Sequence, residues 1–284
     1  MGMGIAKALL AEGFAVVVRD IVAQREVEAA AAGATRAASA AEAASQVEIL
    51  ITVVVDAGQT RDVLLGSTGA IAKAASSLTV MMCSTIAPAD AEDIAARLAG
   101  RGIAMLDAPI SGGPARAHAG TLSMMAAGSD AAFDHCRSVI DATTAKCFRI
   151  GARAGDGSRM KVVNNMLAAA NLAAGCEAMA LAAKLGLDLH QAADVVTASS
   201  GASWIFADRM PRALAGDYAP RAAARVLLKD VGLFVETARS LGLEAPMAAQ
   251  AQEIFRDTVA RGFAEEDDAA VLKRYSAAWN LKLP

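Results

Sequence analysis

Short β-type runs alternate with helical ones up to about residue 150, and after Gly157 only helical periodicity remains. That change of pattern restricts the fold more than any other feature. The strand candidates are 15–19, 49–55, 79–83, 103–108, 122–127 and 147–150, with helices at 3–12, 23–32, 40–46, 57–65 and 89–98. Several strand candidates are continuous apolar runs, such as ILITVVV, which predict strands covered on both faces. Strands alternating with helices predict an α/β doubly wound parallel sheet. The helical remainder opens with one long helix at about 158–185. It is broken at Gly186, Gly201, Gly216, Gly242–Pro246 and Gly262. The predicted division is a first domain over 1–154 and an all-helical domain over 155–284.

A hydrophobic content of 55% in 284 residues is enough for a sizeable core, and a formal charge of −3 gives no basic face for nucleic acid. The four cysteines, Cys83, Cys136, Cys147 and Cys176, form no CxxC pair and read as reduced, buried thiols of a cytoplasmic protein. Lys7 and Glu12 interrupt the first apolar stretch, so it does not read as a signal peptide. The most apolar long stretch, 166–185, carries Asn171, Glu177 and Lys184. It predicts a buried helix and no membrane span. His118, His135 and His190 are isolated, so no metal site is expected. The acids of Glu265–Asp268 read as a capped helix start, complementing the dipole of a helix over 269–275.

Four stretches have residue types suited to chemistry. Asp20 closes the first strand candidate, where a dinucleotide fold places an acid on the ribose hydroxyls; an ordinary turn aspartate is the alternative. Ser84 and Thr85 follow a strand end and precede Pro88. They sit where a ligand would lie or where a helix needs capping. Asp107 and Pro109 end a strand before Ser111, Gly112 and Gly113, whose amides suit a carboxylate; a plain flexible loop has the same composition. Lys161 lies about one turn into the long helix with Asn164 and Asn165 on its face. The positive end of the helix dipole there favours release of its proton, as an acid/base requires.

Taken in order, MGxGIAxxLL, STIxPxDAxxIA, DAPxSGG, GxGxxxKxxNN and KD resemble the β-hydroxyacid dehydrogenase family over nearly the whole chain. The stretches SSGASWIFADRM, LAGDYAPRAAARVLLKDVGL and GFAEEDDAAVLKRYS are similar to its L-threonate dehydrogenase branch. The resemblance implies a Rossmann-type NAD domain, a long connecting helix and an all-α domain that also makes subunit contacts, in a homodimer or homotetramer. It implies NAD as cofactor and a small hydroxy acid as substrate, with L-threonate or a similar four-carbon acid first. The alternatives are 3-hydroxyisobutyrate and a tartronate semialdehyde or glyoxylate-type reduction. By resemblance Lys161 is the catalytic acid/base. Asn165, Ser111, Gly112 and Gly113 bind substrate, and Gly2, Asp20, Thr85 and Lys229 serve the cofactor. Family members begin with a strand and GLGxMG, and Met1-Gly2 match only the end of that motif. The expectation is therefore an N-terminally truncated sheet lacking its first strand. The rival from another class is a catalytically impaired homolog with a structural role.

Overall fold

The computed structural model describes residues 1–281 and 283, and these divide into two compact units, 1–161 and the described residues from 162 onward. The first begins with α1 (Gly2–Ala11), β1 (Val17–Val18), α2 (Ala23–Ala31), β2 (Thr35–Arg36) and α3 (Ala40–Ala44). It continues through β3 (Ile49–Thr52), α4 (Ala57–Leu65), β4 (Thr79–Met82), α5 (Pro88–Ala99) and β5 (Ala104–Asp107). Then come β6 (Ile110–Ser111), α6 (Gly113–His118), β7 (Leu122–Ala127), α7 (Asp130–Thr143) and β8 (Thr144–Gly151). The long α8 (Asp156–Lys184) begins in this unit and continues in the next.

The strands form two sheets. β1 and β2 pair in parallel with each other, and the larger sheet runs β3-β4-β5-β7-β6 with β8 beside β7. β3, β4 and β5 are parallel, but β7 runs antiparallel to β5 and to β6. The parallel core of the sheet is as the sequence predicts, and the antiparallel β7 and β6 pairings are an addition to it. The chain between β5 and β7 turns back through two-residue β6 and six-residue α6 instead of making a full crossover helix. β4 is buried along its whole length, whereas three of the four residues of β3 are only partly buried. The apolar run at 49–55 therefore supplies an edge strand, not one covered on both faces. Two apolar clusters lie against the larger sheet. One is centred on Leu106, Leu122 and Cys136, the other on Val80, Met82 and Ile94.

The second unit is helical: the rest of α8, then α9 (Leu189–Thr197), α10 (Trp204–Leu214), α11 (Ala224–Ser240), α12 (Pro246–Thr258) and α13 (Val271–Trp279). Ala169, Leu172, Ala173, Cys176 and Ala180 place one face of α8 in its core with Phe206 and Phe255. That spacing of three and four is the helical period. By length and composition alone α8 would suffice to cross a membrane, with 39% of its most apolar window buried, yet its 169–180 face packs into the helical core as the sequence predicts. Gly186, Gly216 and Gly242 fall at helix ends with φ of 77°, 74° and 71°. Asp267 and Asp268 do more than complement a dipole. Both are buried, and the Arg209 guanidinium forks onto Asp268 at 2.7 and 3.3 Å. Arg212 and the Arg221 amide donate to Asp267 at 3.4 and 2.9 Å.

Candidate active site

The carboxyl ends of β1, β3, β4 and β5 carry most of the polar groups picked out by sequence. The first turn of α1 meets β3 there. A Cβ on Gly2 would lie 3.6 Å from that of Val53, and Met1, at the helix N-cap, makes no side-chain cap bond. Gly4 permits close approach of α1 to α6, since a Cβ there would meet Ala117 Cβ and the His118 amide at 2.8 Å. Past β1, Asp20 Oδ1 accepts the Val22 amide at 2.9 Å, and Arg25 lies 3.6 Å from Oδ2. The side chain stays partly exposed.

Beyond β4, Ser84 does not serve as a helix cap. The N-cap of α5 is Ala87, and no side chain bonds the first turn. Ser84 Oγ and Thr52 Oγ1 are both buried, and neither has a hydrogen-bond partner among the described residues. Thr85 beside them is partly buried. Cys83, fully buried, has its thiol pushed up to about 12, chiefly by desolvation, and is no nucleophile.

β5 ends in Asp107, which is fully buried. Its Oδ2 accepts the Gly155 and Ser158 amides at 2.8 and 2.9 Å, and its Oδ1 accepts the Ser158 hydroxyl at 2.8 Å. One carboxylate thereby fixes the first turn of α8 on the strand end. Gly157 completes the contact: a Cβ there would stand 2.5 Å from both the Asp107 and Met125 carbonyl oxygens. Lys161 follows Ser158 by three positions, nearly one turn, and is buried. The Ser111–Gly113 segment leaves the same strand end through β6. Gly112 and Gly113 have φ of 134° and 76°, left-handed values that favour glycine. The Arg116 stem lies against Gly112, 2.8 Å from where a Cβ would stand, while Gly113 faces open space. Sequence reasoning noticed Asp107 only as a strand end and missed Ser158. Their bonds join positions about fifty apart, and no local pattern reveals such a link.

In the helical unit Asn165 is buried, and its Nδ2 donates to Asp230 Oδ2 at 2.7 Å. Asn164 Nδ2 donates to Asn165 Oδ1 at 3.0 Å. Lys229 Nζ lies 2.6 Å from Asp230 Oδ1. Asp230 therefore orients both predicted residues of this unit. It was overlooked although it is the second letter of the KD pair.

This geometry belongs to dehydrogenases that pair a dinucleotide fold with an all-helical unit. Residues 1–151 match the family profile described as the NAD binding domain of 6-phosphogluconate dehydrogenase. Residues 155–275 match that described as NAD-binding of NADP-dependent 3-hydroxyisobutyrate dehydrogenase. The chain is 41% identical to the L-threonate dehydrogenase of Escherichia coli K12, covering 97% of this chain and 92% of that protein. It is 34% identical to an NAD-dependent L-serine dehydrogenase of Pseudomonas aeruginosa, covering 97% and 94%. A crystal structure of 3-hydroxyisobutyrate dehydrogenase from Salmonella typhimurium superposes with a TM-score of 0.90 at 41% identity, covering 96% and 95% of the two chains. The chain belongs to the 3-hydroxyisobutyrate dehydrogenase-like family of NAD-dependent hydroxyacid dehydrogenases. Coverage of 92% of the E. coli protein does not support the expected N-terminal truncation, although among the described residues α1 is the first element and no strand precedes it.

The residues present fit NAD. Buried hydroxyls rarely stay unbonded. Among the described residues two do, Thr52 and Ser84, and they sit at carboxyl ends of adjacent parallel strands, where open α/β sheets bind dinucleotides. The start of α1 offers free amides beside them, suited to a pyrophosphate.

Proposed function

We propose that this protein oxidises a small hydroxy acid, with L-threonate or a similar four-carbon sugar acid as substrate and NAD as cofactor. The observation that carries the reading is Lys161. It is a buried lysine near the start of α8, a helix whose first turn is fixed by Asp107. Burying an ammonium is costly, and buried titratable groups of this kind cluster at active centres.

In this reading Ser111 and the amides of Gly112 and Gly113 bind the substrate carboxylate. Lys161 Nζ takes the proton of the reacting hydroxyl, and Asn165, one turn on, holds that hydroxyl in line. Bound NAD supplies the hydride acceptor. Gly2 and the first α1 amides hold its pyrophosphate, Asp20 its ribose hydroxyls, and Thr85 lies on the nicotinamide side. Lys229, fixed by Asp230, is a further cofactor contact. The functional division is cofactor binding by 1–154 and substrate binding with self-association by 155–284, in a cytoplasmic homodimer or homotetramer.

The identity to L-threonate dehydrogenase over nearly the whole chain favours threonate over L-serine, 3-hydroxyisobutyrate and glycerate-type acids. Steady-state kinetics on these four with NAD test the ranking. Threonate should give the highest kcat/KM, and failure to oxidise any of them would end the proposal. Lys161→Ala should lose roughly 10²–10⁴-fold in kcat. Its affinity for NADH, read by fluorescence titration, should stay near that of the parent.

A further inference from the structure

The turn after β1 holds more charge than ribose recognition requires. Asp20 is accompanied by three arginines, Arg19, Arg25 and Arg36, all with exposed guanidinium heads. A second acid, Glu26, lies in the first turn of α2 and is only 6% exposed. Its Oε1 accepts Arg19 Nη1 at 2.8 Å and the Asp20 backbone amide at 3.1 Å. Its Oε2 accepts Arg36 Nη2 at 2.9 Å. The two guanidinium bonds, then the amide, hold its carboxyl down to about 2, so it is ionised at any working pH.

Three guanidiniums near one ribose-reading acid present a problem for NAD selectivity. A 2′-phosphate carries close to two negative charges at neutral pH, and arginine forks bind such groups in bidentate fashion. Asp20 repels it with a single charge, and Arg25 already lies against that charge. Left unengaged, Arg19 and Arg36 would make this turn attractive to NADP.

We propose that Glu26 is a specificity-determining residue for the dinucleotide. It engages Arg19 and Arg36 from below and fixes the Asp20 amide, so that Asp20 alone meets the ribose. The inference rests on the reading of Asp20 as the ribose acid. A purely structural Glu26 would support the start of α2 and weigh equally on both dinucleotides.

Binding constants for NADH and NADPH, taken by fluorescence titration of the full chain at one ionic strength, separate these cases. E26Q keeps the shape and removes the charge. It should shift the ratio of the two constants at least threefold toward NADPH. Adding R19Q and R36Q to E26Q should return the ratio to that of the parent. A shift under threefold in E26Q overturns the inference, as does a shift that survives loss of the two arginines. Should E26Q fail to melt cooperatively, E26D decides by the same threefold criterion, since a carboxylate one methylene shorter releases at least one guanidinium. A parent that binds NADPH more tightly than NADH would remove the Asp20 reading itself and this inference with it. An NADH-preferring parent with an unmoved E26Q would remove only Glu26.

Discussion

Asp107 shows how one side chain can position another through the backbone that carries it. Its two oxygens take three donors from the 155–158 segment, and Lys161 inherits its place from that anchor. Burial pushes the carboxyl up, and the bonds from Ser158 and Gly155 oppose it. Asp107→Asn replaces one accepting oxygen with a donor facing a donor. A buried group left unsatisfied costs about 1–3 kcal/mol, and bonds to a charged acceptor lie at the upper end. The variant should lose about 2–4 kcal/mol in urea unfolding. Its kcat should fall while NADH affinity holds, because the anchor serves the lysine and not the dinucleotide. A variant that loses stability but keeps full kcat would separate Lys161 from its anchor. Gly157→Ala meets two backbone carbonyls that cannot yield, so it should be at least as damaging.

At the scale of elements, the helix contacts make a second prediction. Gly175 lies inside α8, and a Cβ there would stand 2.5 Å from the Phe206 ring. Alanine gains about 1 kcal/mol of helix propensity over glycine, while overpacking a filled core costs about 1–3 kcal/mol. The ring belongs to one of the largest fully buried side chains, so the clash should win. Gly175→Ala should lower stability in denaturant melts, and adding Phe206→Leu should recover part of the loss. The first turn of α2 makes a third. Glu26 titrates near 2 in the folded chain against 4.5 for a free glutamate. Its contribution to stability is whole above 4.5 and is lost as pH falls toward about 2. Acid titration of the melting temperature should therefore fall more gently in E26Q than in the parent across that window. The same elements show what the sequence made legible. The limits of α4 and β7 are legible to the residue, because Asp56 caps one and a nearly fully buried six-residue run, closed by Gly128, forms the other. β2 and β6 were missed because two residues cannot display a period. α7 was missed although Ser129 caps it and Phe133, Cys136 and Ile140 recur at helical spacing, so its signal was present and unread. The glycine loop and the lysine of the candidate site stood out by local composition. Asp107, Ser158, Asp230 and Glu26 did not, because each acts through partners set by the fold.

The molecule as a whole has separate cores in its two units, and only one of them carries the strand ends suited to a dinucleotide. Linkage turns that asymmetry into a measurement. A ligand that binds only the folded state stabilises it by RT ln(1 + [L]/Kd), about 2.7 kcal/mol at a hundredfold excess over Kd. For a unit of this size each kcal/mol moves the midpoint by roughly 2–4 °C. Saturating NADH should therefore raise the midpoint of the transition that unfolds the first unit by roughly 5–10 °C. Hydrogen exchange locates the effect. Amides of α1, β3, β4 and the turn after β1 should slow most on NADH addition, since they border the unbonded hydroxyls of Thr52 and Ser84 and the Asp20 carboxylate. Amides deep in the helical core, around Phe206 and Phe255, should slow far less if the two units open independently. Equal slowing in both cores would mean that the two units open as one, with α8, which belongs to both, as the covalent route for that coupling. No slowing around α1 and β4 would mean that the dinucleotide binds somewhere other than these strand ends.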